Sequence, residues 1–165
     1  MATTFVLDSN FFIQAHRMYY PLDVVRNFWV KITDLANRGL IVSIDKVRDE
    51  ILLNKDDLSE WCENNLPKEF FKNTSVLIRE YAIISNWAHS RSSHYNPAAL
   101  NEFLDSNEAD AWLIAYALAN HCKIVTHETS EPNRKTKVKI PDVCLPFGIS
   151  CVNTIDMFRL LNEQF

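Results

Sequence analysis

A chain of 165 residues that is 47% hydrophobic and 23% charged fits one domain with a sizeable core, spanning residues 1–165. Two glycines are too few for a phosphate-cradling loop, and no P-loop or dinucleotide fingerprint is present. A net charge of −4 argues against broad, nonspecific polyanion binding but leaves room for a metal that supplies positive charge locally.

In chain order, Phe5-Val6-Leu7 predicts a short buried strand. Asp8-Ser9-Asn10 follows as a strand exit and helix cap, with a helix from about Phe11. Pro21 suits the first turn of a second helix, running from about residue 22 to Asn37 and closed by Gly39. Residues 40–43 predict a second strand, and Asp45 caps a third helix through Leu53. Residues 56–104 read as helical, broken at Pro67, with Leu77, Tyr81, Ile84 and Ala88 on one stripe and Asn96-Pro97 opening a further short helix. Residues 107–120 predict a helix that is apolar almost all round and therefore deeply buried. Residues 123–126 predict a third strand, 148–152 a last strand, and Thr154 caps a final helix through Leu161.

Strands that alternate with helices predict an α/β fold. It would be a three-layer α/β/α sandwich around a mostly parallel sheet of four to five strands. Ligand sites in such sheets lie beyond the carboxyl ends of the strands. Cys62, Cys122, Cys144 and Cys151 form no C-x-x-C pair and read as buried small apolar residues. No apolar run approaches the roughly 20 residues that span a bilayer, and the N-terminus lacks a signal-type pattern, so a cytoplasmic protein is expected.

Four acids stand beside or inside apolar runs at strand exits and early helical turns: Asp8, Glu50, Asp110 and Glu128. A carboxylate drawn toward a core is costly unless something compensates it. One would be met by a lysine or arginine; several together call for a divalent cation, and hard oxygen ligands suit Mg²⁺ or Mn²⁺. Each acid also has a plain structural reading. Asp8 would be a helix cap, Glu50 a partner for Arg48 or Lys46, Asp110 a first-turn dipole partner and Glu128 a loop acid. Asp105 and Glu108 fit better as a capping pair. Ser9, Asn10 and Thr126 adjoin the acids and would orient a carboxylate or only cap. His127 reads as a solvent-exposed loop histidine more readily than a general base.

The order of these motifs resembles the PIN-domain ribonuclease family, in a bacterial branch. The matching segments are Val6-Leu7-Asp8-Ser9-Asn10, Ser43 through Val47 with Glu50-Ile51, Asp110 through Ala117, and Val125-Thr126-His127-Glu128. Glu128 departs from the aspartate usual in the family, and both the long middle region and the tail from Lys139 to Cys144 are atypical. The resemblance implies an endoribonuclease that hydrolyses RNA phosphodiester bonds through water activated by carboxylate-held Mg²⁺ or Mn²⁺. Asp8, Glu50, Asp110 and Glu128 would be its catalytic and metal-binding residues. It further implies the toxin of a toxin–antitoxin pair held by a small cognate antitoxin, and a homodimer. Arg134, Lys135, Lys137 and Lys139 follow Glu128 closely enough to contact the RNA backbone. The alternatives are a catalytically weak PIN-like RNA- or protein-binding module, and a phosphatase using the same acidic edge, which would want a lysine at the end of a late strand.

Overall fold

The computed structural model describes residues 3–165; Met1 and Ala2, the first two residues of the expected domain, lie outside the described residues. Five strands form one all-parallel sheet in the order β3-β2-β1-β4-β5, with β1 Phe5–Leu7, β2 Ile41–Ile44, β3 Phe71–Lys72, β4 Lys123–Val125 and β5 Cys151–Val152. Every residue of β1 and β2 is buried, as strands covered on both faces require. Ser43, the polar residue within β2, satisfies its hydroxyl by donating to the Leu7 carbonyl at 2.6 Å.

The helices are α1 Ser9–Gln14, α2 Arg26–Asn37, α3 Asp45–Leu53, α4 Asp57–Asn65, α5 Ile78–Ser90, α6 Pro97–Phe103, α7 Asp110–Asn120, α8 Ile140–Cys144 and α9 Thr154–Leu161. They cover the sheet in a three-layer α/β/α arrangement. Helix α7 packs across β1, β2 and β4, and α5 packs on α7. Helix α2 packs on β2 and reaches α9 through Phe28 and Phe158, whose ring centroids lie 6.1 Å apart.

Gly39 ends α2 with φ +71°, in the left-handed region where a β-carbon is penalised. Its N–H donates to Ala36 and that of Leu40 to Leu35, so two terminal carbonyls are satisfied as in a Schellman cap. Helix α7 closes the same way without glycine, on His121 at φ +55°.

Several elements differ from the sequence expectation. The first helix continues into a π-helical turn, Ala15–Tyr19, in which the Tyr20 N–H donates to Ala15. That extension holds Tyr20 stacked on Phe28 at 4.3 Å and delays α2 to Arg26. Strand β3 lies in the stretch read as helical. With two residues it carries no periodicity, and it exists because its edge pairs with β2, Ser43 opposite Phe71. Helix α8 follows the basic loop and has Pro141 in its first turn. The last helix is capped by Asn153, which accepts from the Asp156 N–H, one residue before the expected Thr154. Asp45 does not cap α3; it accepts from Lys46 N–H and from the Thr74 hydroxyl and N–H, tying the helix start to the 3-10 turn Thr74–Leu77.

The sheet order places a topological switch point between β1 and β4. The chain leaves β1 toward β2 and β3, then returns to the other side of β1. The loops beyond the carboxyl ends of β1 and β4 therefore diverge and leave a crevice between them.

Candidate functional site

Asp8 follows β1 at the mouth of that crevice and is only 2% exposed. It occupies the N-cap position of α1, yet its side chain caps nothing. Instead Oδ2 accepts from the Thr126 hydroxyl at 2.8 Å, and Ser9 Oγ lies 3.4 Å from Oδ1. The Thr126 proton is aimed by its own surroundings. Its oxygen accepts from Asn10 Nδ2 at 3.4 Å and from the Glu128 N–H at 3.1 Å, which leaves the single hydroxyl proton for Asp8. Asn10 completes the clasp, its Oδ1 accepting from the His127 N–H at 3.1 Å. Residues more than a hundred positions apart are thus fastened across the switch point.

The other acids approach from their own elements. Asp110 opens α7, Glu50 lies on α3 and Glu128 follows β4, each partly buried. Burial pushes the Asp8 carboxyl up to about 7, with the charges of Glu128 and Glu50 adding to it, although hydrogen bonds from Thr126 and the Ser9 backbone pull the other way. Asp110 is raised well above the ordinary aspartate value, first by burial and then by Asp8, Glu128 and Glu50, against the lowering charge of Lys137. Glu50 is raised by burial and by Glu108, against hydrogen bonds from Ser9 and the Ala109 backbone and the charge of Lys137. Asp8 and Asp110 therefore sense the charges of Glu50 and Glu128 through a poorly screened interior.

One Glu128 oxygen accepts from the Ile140 N–H at 2.8 Å, so this acid also anchors the start of α8. Among the described residues, no three acids, histidines or cysteines are drawn together closely enough to enclose an ion as they stand. The donor chemistry, hard carboxylate oxygens with too little positive charge to balance them, nonetheless suits a divalent cation.

Asp105 and Glu108 do not form a capping pair. Asp105 accepts from the Asn107 N–H in a turn, and Glu108 is exposed, its charge acting on Glu50. His127 is not an exposed loop histidine either. Its Nδ1 lies 2.6 Å from Gln14 Oε1 and its Nε2 2.8 Å from Thr154 Oγ1. An amide oxygen only accepts, so Nδ1 carries the proton and Nε2 accepts from the threonine. Burial lowers its pKa, which favours the neutral ring. With both nitrogens engaged, His127 builds a wall and is no free base.

The chain between Glu128 and α8 carries the four basic residues. Arg134 pairs with Glu131 at 2.9 Å, and Lys137 reaches Glu102 at 3.3 Å while standing beside Asp110. Burial lowers the Lys137 pKa, but the charges of Asp110 and Glu102 outweigh it and the net shift is upward. Lys137, Glu102, Glu108 and Asp110 line one narrow crevice. Lys135 is exposed and Lys139 partly buried. The loop is held rigidly, since the Lys135 carbonyl accepts from Asn96 N–H and Asp142 accepts from Glu131 N–H and the Ser130 hydroxyl.

A family model described as a domain of unknown function, DUF4411, matches residues 5–165. The chain belongs to the DUF4411 family. No curated protein and no solved structure matches it. The match covers all four acids, Thr126 and the basic loop, so in this DUF4411 chain the site lies wholly within the family's own domain. No helix among the described residues is long and apolar enough to cross a membrane.

Proposed function

We propose that this chain is a PIN-like, Mg²⁺- or Mn²⁺-dependent endoribonuclease whose acidic centre is Asp8, Glu50, Asp110 and Glu128. The observation that carries the reading is Asp8. A buried carboxylate at a helix N-cap position would ordinarily cap, a gain of about 1 kcal/mol. This one forgoes the cap, is gripped by Thr126 and is surrounded by three further acids. Acids arranged against their own stability are the mark of a site that needs negative charge for another purpose.

The chain's own groups have distinct tasks. Asp8 is fixed in direction by the Thr126 hydroxyl, and Thr126 by Asn10 and the Glu128 N–H. Asp110 and Glu50 would contribute their carboxylates from the helices α7 and α3. Lys137 offsets Asp110 and stands where a phosphate oxygen approaching the centre would meet a cation. A divalent ion held by these carboxylates supplies the Lewis acidity that lowers the pKa of water and offsets charge building on the phosphate. Lys135, exposed, and Lys139, partly buried, lie on the loop that leads from Glu128 and would meet the RNA backbone. The resemblance extends the proposal to a cytoplasmic toxin held by a small cognate antitoxin, and to a homodimer.

The test is cleavage of an end-labelled single-stranded RNA by purified protein with Mn²⁺, with and without chelator. The parent should cleave only with the metal, and Asp110→Asn should lose at least ~100-fold of the rate while remaining folded. RNA binding without Mn²⁺-dependent cleavage would leave a binding module in place of the enzyme. Cleavage that survives in Asp110→Asn would remove the acidic centre from the reaction.

A further inference from the structure

A second cavity, of about 420 Å³, opens on the far side of His127. It is lined by Tyr19, His127, Thr129, Asn153, Thr154 and Ile155, with Tyr20 behind. Among the described residues no Asp, Glu, Lys or Arg lines it. It is therefore suited to a neutral group with a flat face and polar edges, and not to a phosphate.

Two of its walls are preorganised. The His127 ring is clamped through both nitrogens by Gln14 and Thr154. Tyr19 meets that ring edge-on, centroids 5.9 Å apart, and is itself 55% exposed. An exposed tyrosine is ordinarily mobile, but this one stands on the π-helical turn, whose next residue is locked. Tyr20 stacks on Phe28, its N–H donates to Ala15 and its carbonyl accepts from Trp29 Nε1 at 2.6 Å. The backbone that carries Tyr19 is thus anchored, and the contact with His127 orients its ring. Single-turn π segments recur at functional sites. The Thr129 hydroxyl at the rim is available to a base edge.

His127 is also what joins the cavity to the acidic centre. It lies between Thr126, which grips Asp8, and Glu128. A nucleic acid strand that leaves the centre on this side would carry its neighbouring nucleotide over His127 into the cavity. We propose that the cavity lined by Tyr19 and His127 binds an unpaired nucleobase of the RNA strand, adjacent to the acidic centre, with Tyr19 as the stacking surface. The proposal rests on the nuclease reading above and adds to it that the substrate is single-stranded at this position.

The experiment uses the full chain carrying Asp110→Asn, in chelator, and a fluorescent single-stranded RNA followed by anisotropy. Adding Tyr19→Ala should weaken binding about 10-fold, the loss expected of one base–aromatic stack, and Tyr19→Phe should change it by less than about twofold. Scanning one abasic nucleotide along the RNA should find a position whose removal weakens binding when Tyr19 is present and has no effect in Tyr19→Ala. RNA that binds Tyr19→Ala as tightly as the reference, with no coupled abasic position, overturns the subsite. If the parent still cleaves RNA with Mn²⁺ in that case, the nuclease reading stands. If RNA neither binds nor is cleaved, both fall. Coupling at Tyr19 without any cleavage by the parent supports the subsite and removes the nuclease.

Discussion

Asp8→Asn should stabilise the metal-free protein above neutral pH, and the gain should vanish as the pH is lowered. The folded Asp8 carboxyl titrates at about 7 against an ordinary value of 3.8. A raised folded pKa means that the native state holds a proton the unfolded chain has released, so stability falls as pH rises from about 4 to about 7. Each tenfold change in proton affinity between the folded and unfolded chain is worth about 1.4 kcal/mol, so between pH 5 and pH 8 this one group costs the fold on the order of 2–3 kcal/mol. Asparagine keeps an oxygen to accept from Thr126 but removes the charge, so it escapes that loss. Other groups titrate in the same range; His127, held neutral, pulls in the opposite sense by losing stability as pH falls below its ordinary value. Comparing parent and variant at each pH cancels the contribution of His127, whereas Asp110, which the Asp8 charge raises, is relieved in the variant and adds to the gain. The assay is thermal or urea unfolding in chelator at several pH values between 5 and 8. The melting temperature of Asp8→Asn relative to the parent should rise by about 5–10 °C across that interval. A difference that stays flat with pH, or a variant less stable than the parent at pH 8, would show that Asp8 is a conventional, well-compensated carboxylate. The case for a metal-seeking centre would lose its strongest support.

Three further measurements bear on the same centre. Mn²⁺ should raise the parent's melting temperature at pH 8, by roughly 2.7 kcal/mol of stability at 100-fold excess over Kd, and should do so far less in Asp110→Asn. Equal shifts in both would place the ion elsewhere. Lys135→Gln with Lys139→Gln should flatten the dependence of RNA affinity on salt by about one to two units of slope. Arg134→Gln should do less, because Arg134 is already paired with Glu131; unchanged slopes in both would assign RNA approach to another face. The Asp110→Asn cleavage assay completes the set, with a loss of at least ~100-fold expected.

The strands and helices that carry the acids were legible in the sequence. Three buried apolar residues before Asp8, the apolar helix behind Asp110 and the Ile-Val pair before Thr126 are signals of composition and period, and they fall in the described β1, α7 and β4. What escaped is short or depends on contacts distant in sequence. Two-residue β3 has no period to read, and the five residues of α8 begin beside a proline that equally marks a loop. Extension of α1 into a π-helical turn is settled by Tyr20 packing on Phe28, eight residues later. The side-chain partners were least legible of all. Nothing local says that Asn10 joins Thr126 and the His127 N–H, or that His127 is clamped by Gln14 and Thr154, because these pairs form only once β1, β4 and α9 lie side by side.

Lys137 is the cation that offsets part of the charge of Asp110 and Glu50. The lysine stands beside Asp110, is hydrogen-bonded to Glu102 and lowers the pKa of both Asp110 and Glu50. It offsets part of a charge it cannot balance, since one ammonium faces several carboxylates. Full neutralisation by a second fixed cation would have produced an ordinary buried ion network, stable and unable to attract a metal. The remaining deficit is held in protonated form, with Asp8 able to keep its proton near neutral pH. On the proposed function, metal binding would have to expel that proton, so affinity for Mn²⁺ should increase as pH rises through about 7. The same rise in pH should destabilise the metal-free state, and both effects would favour the loaded form.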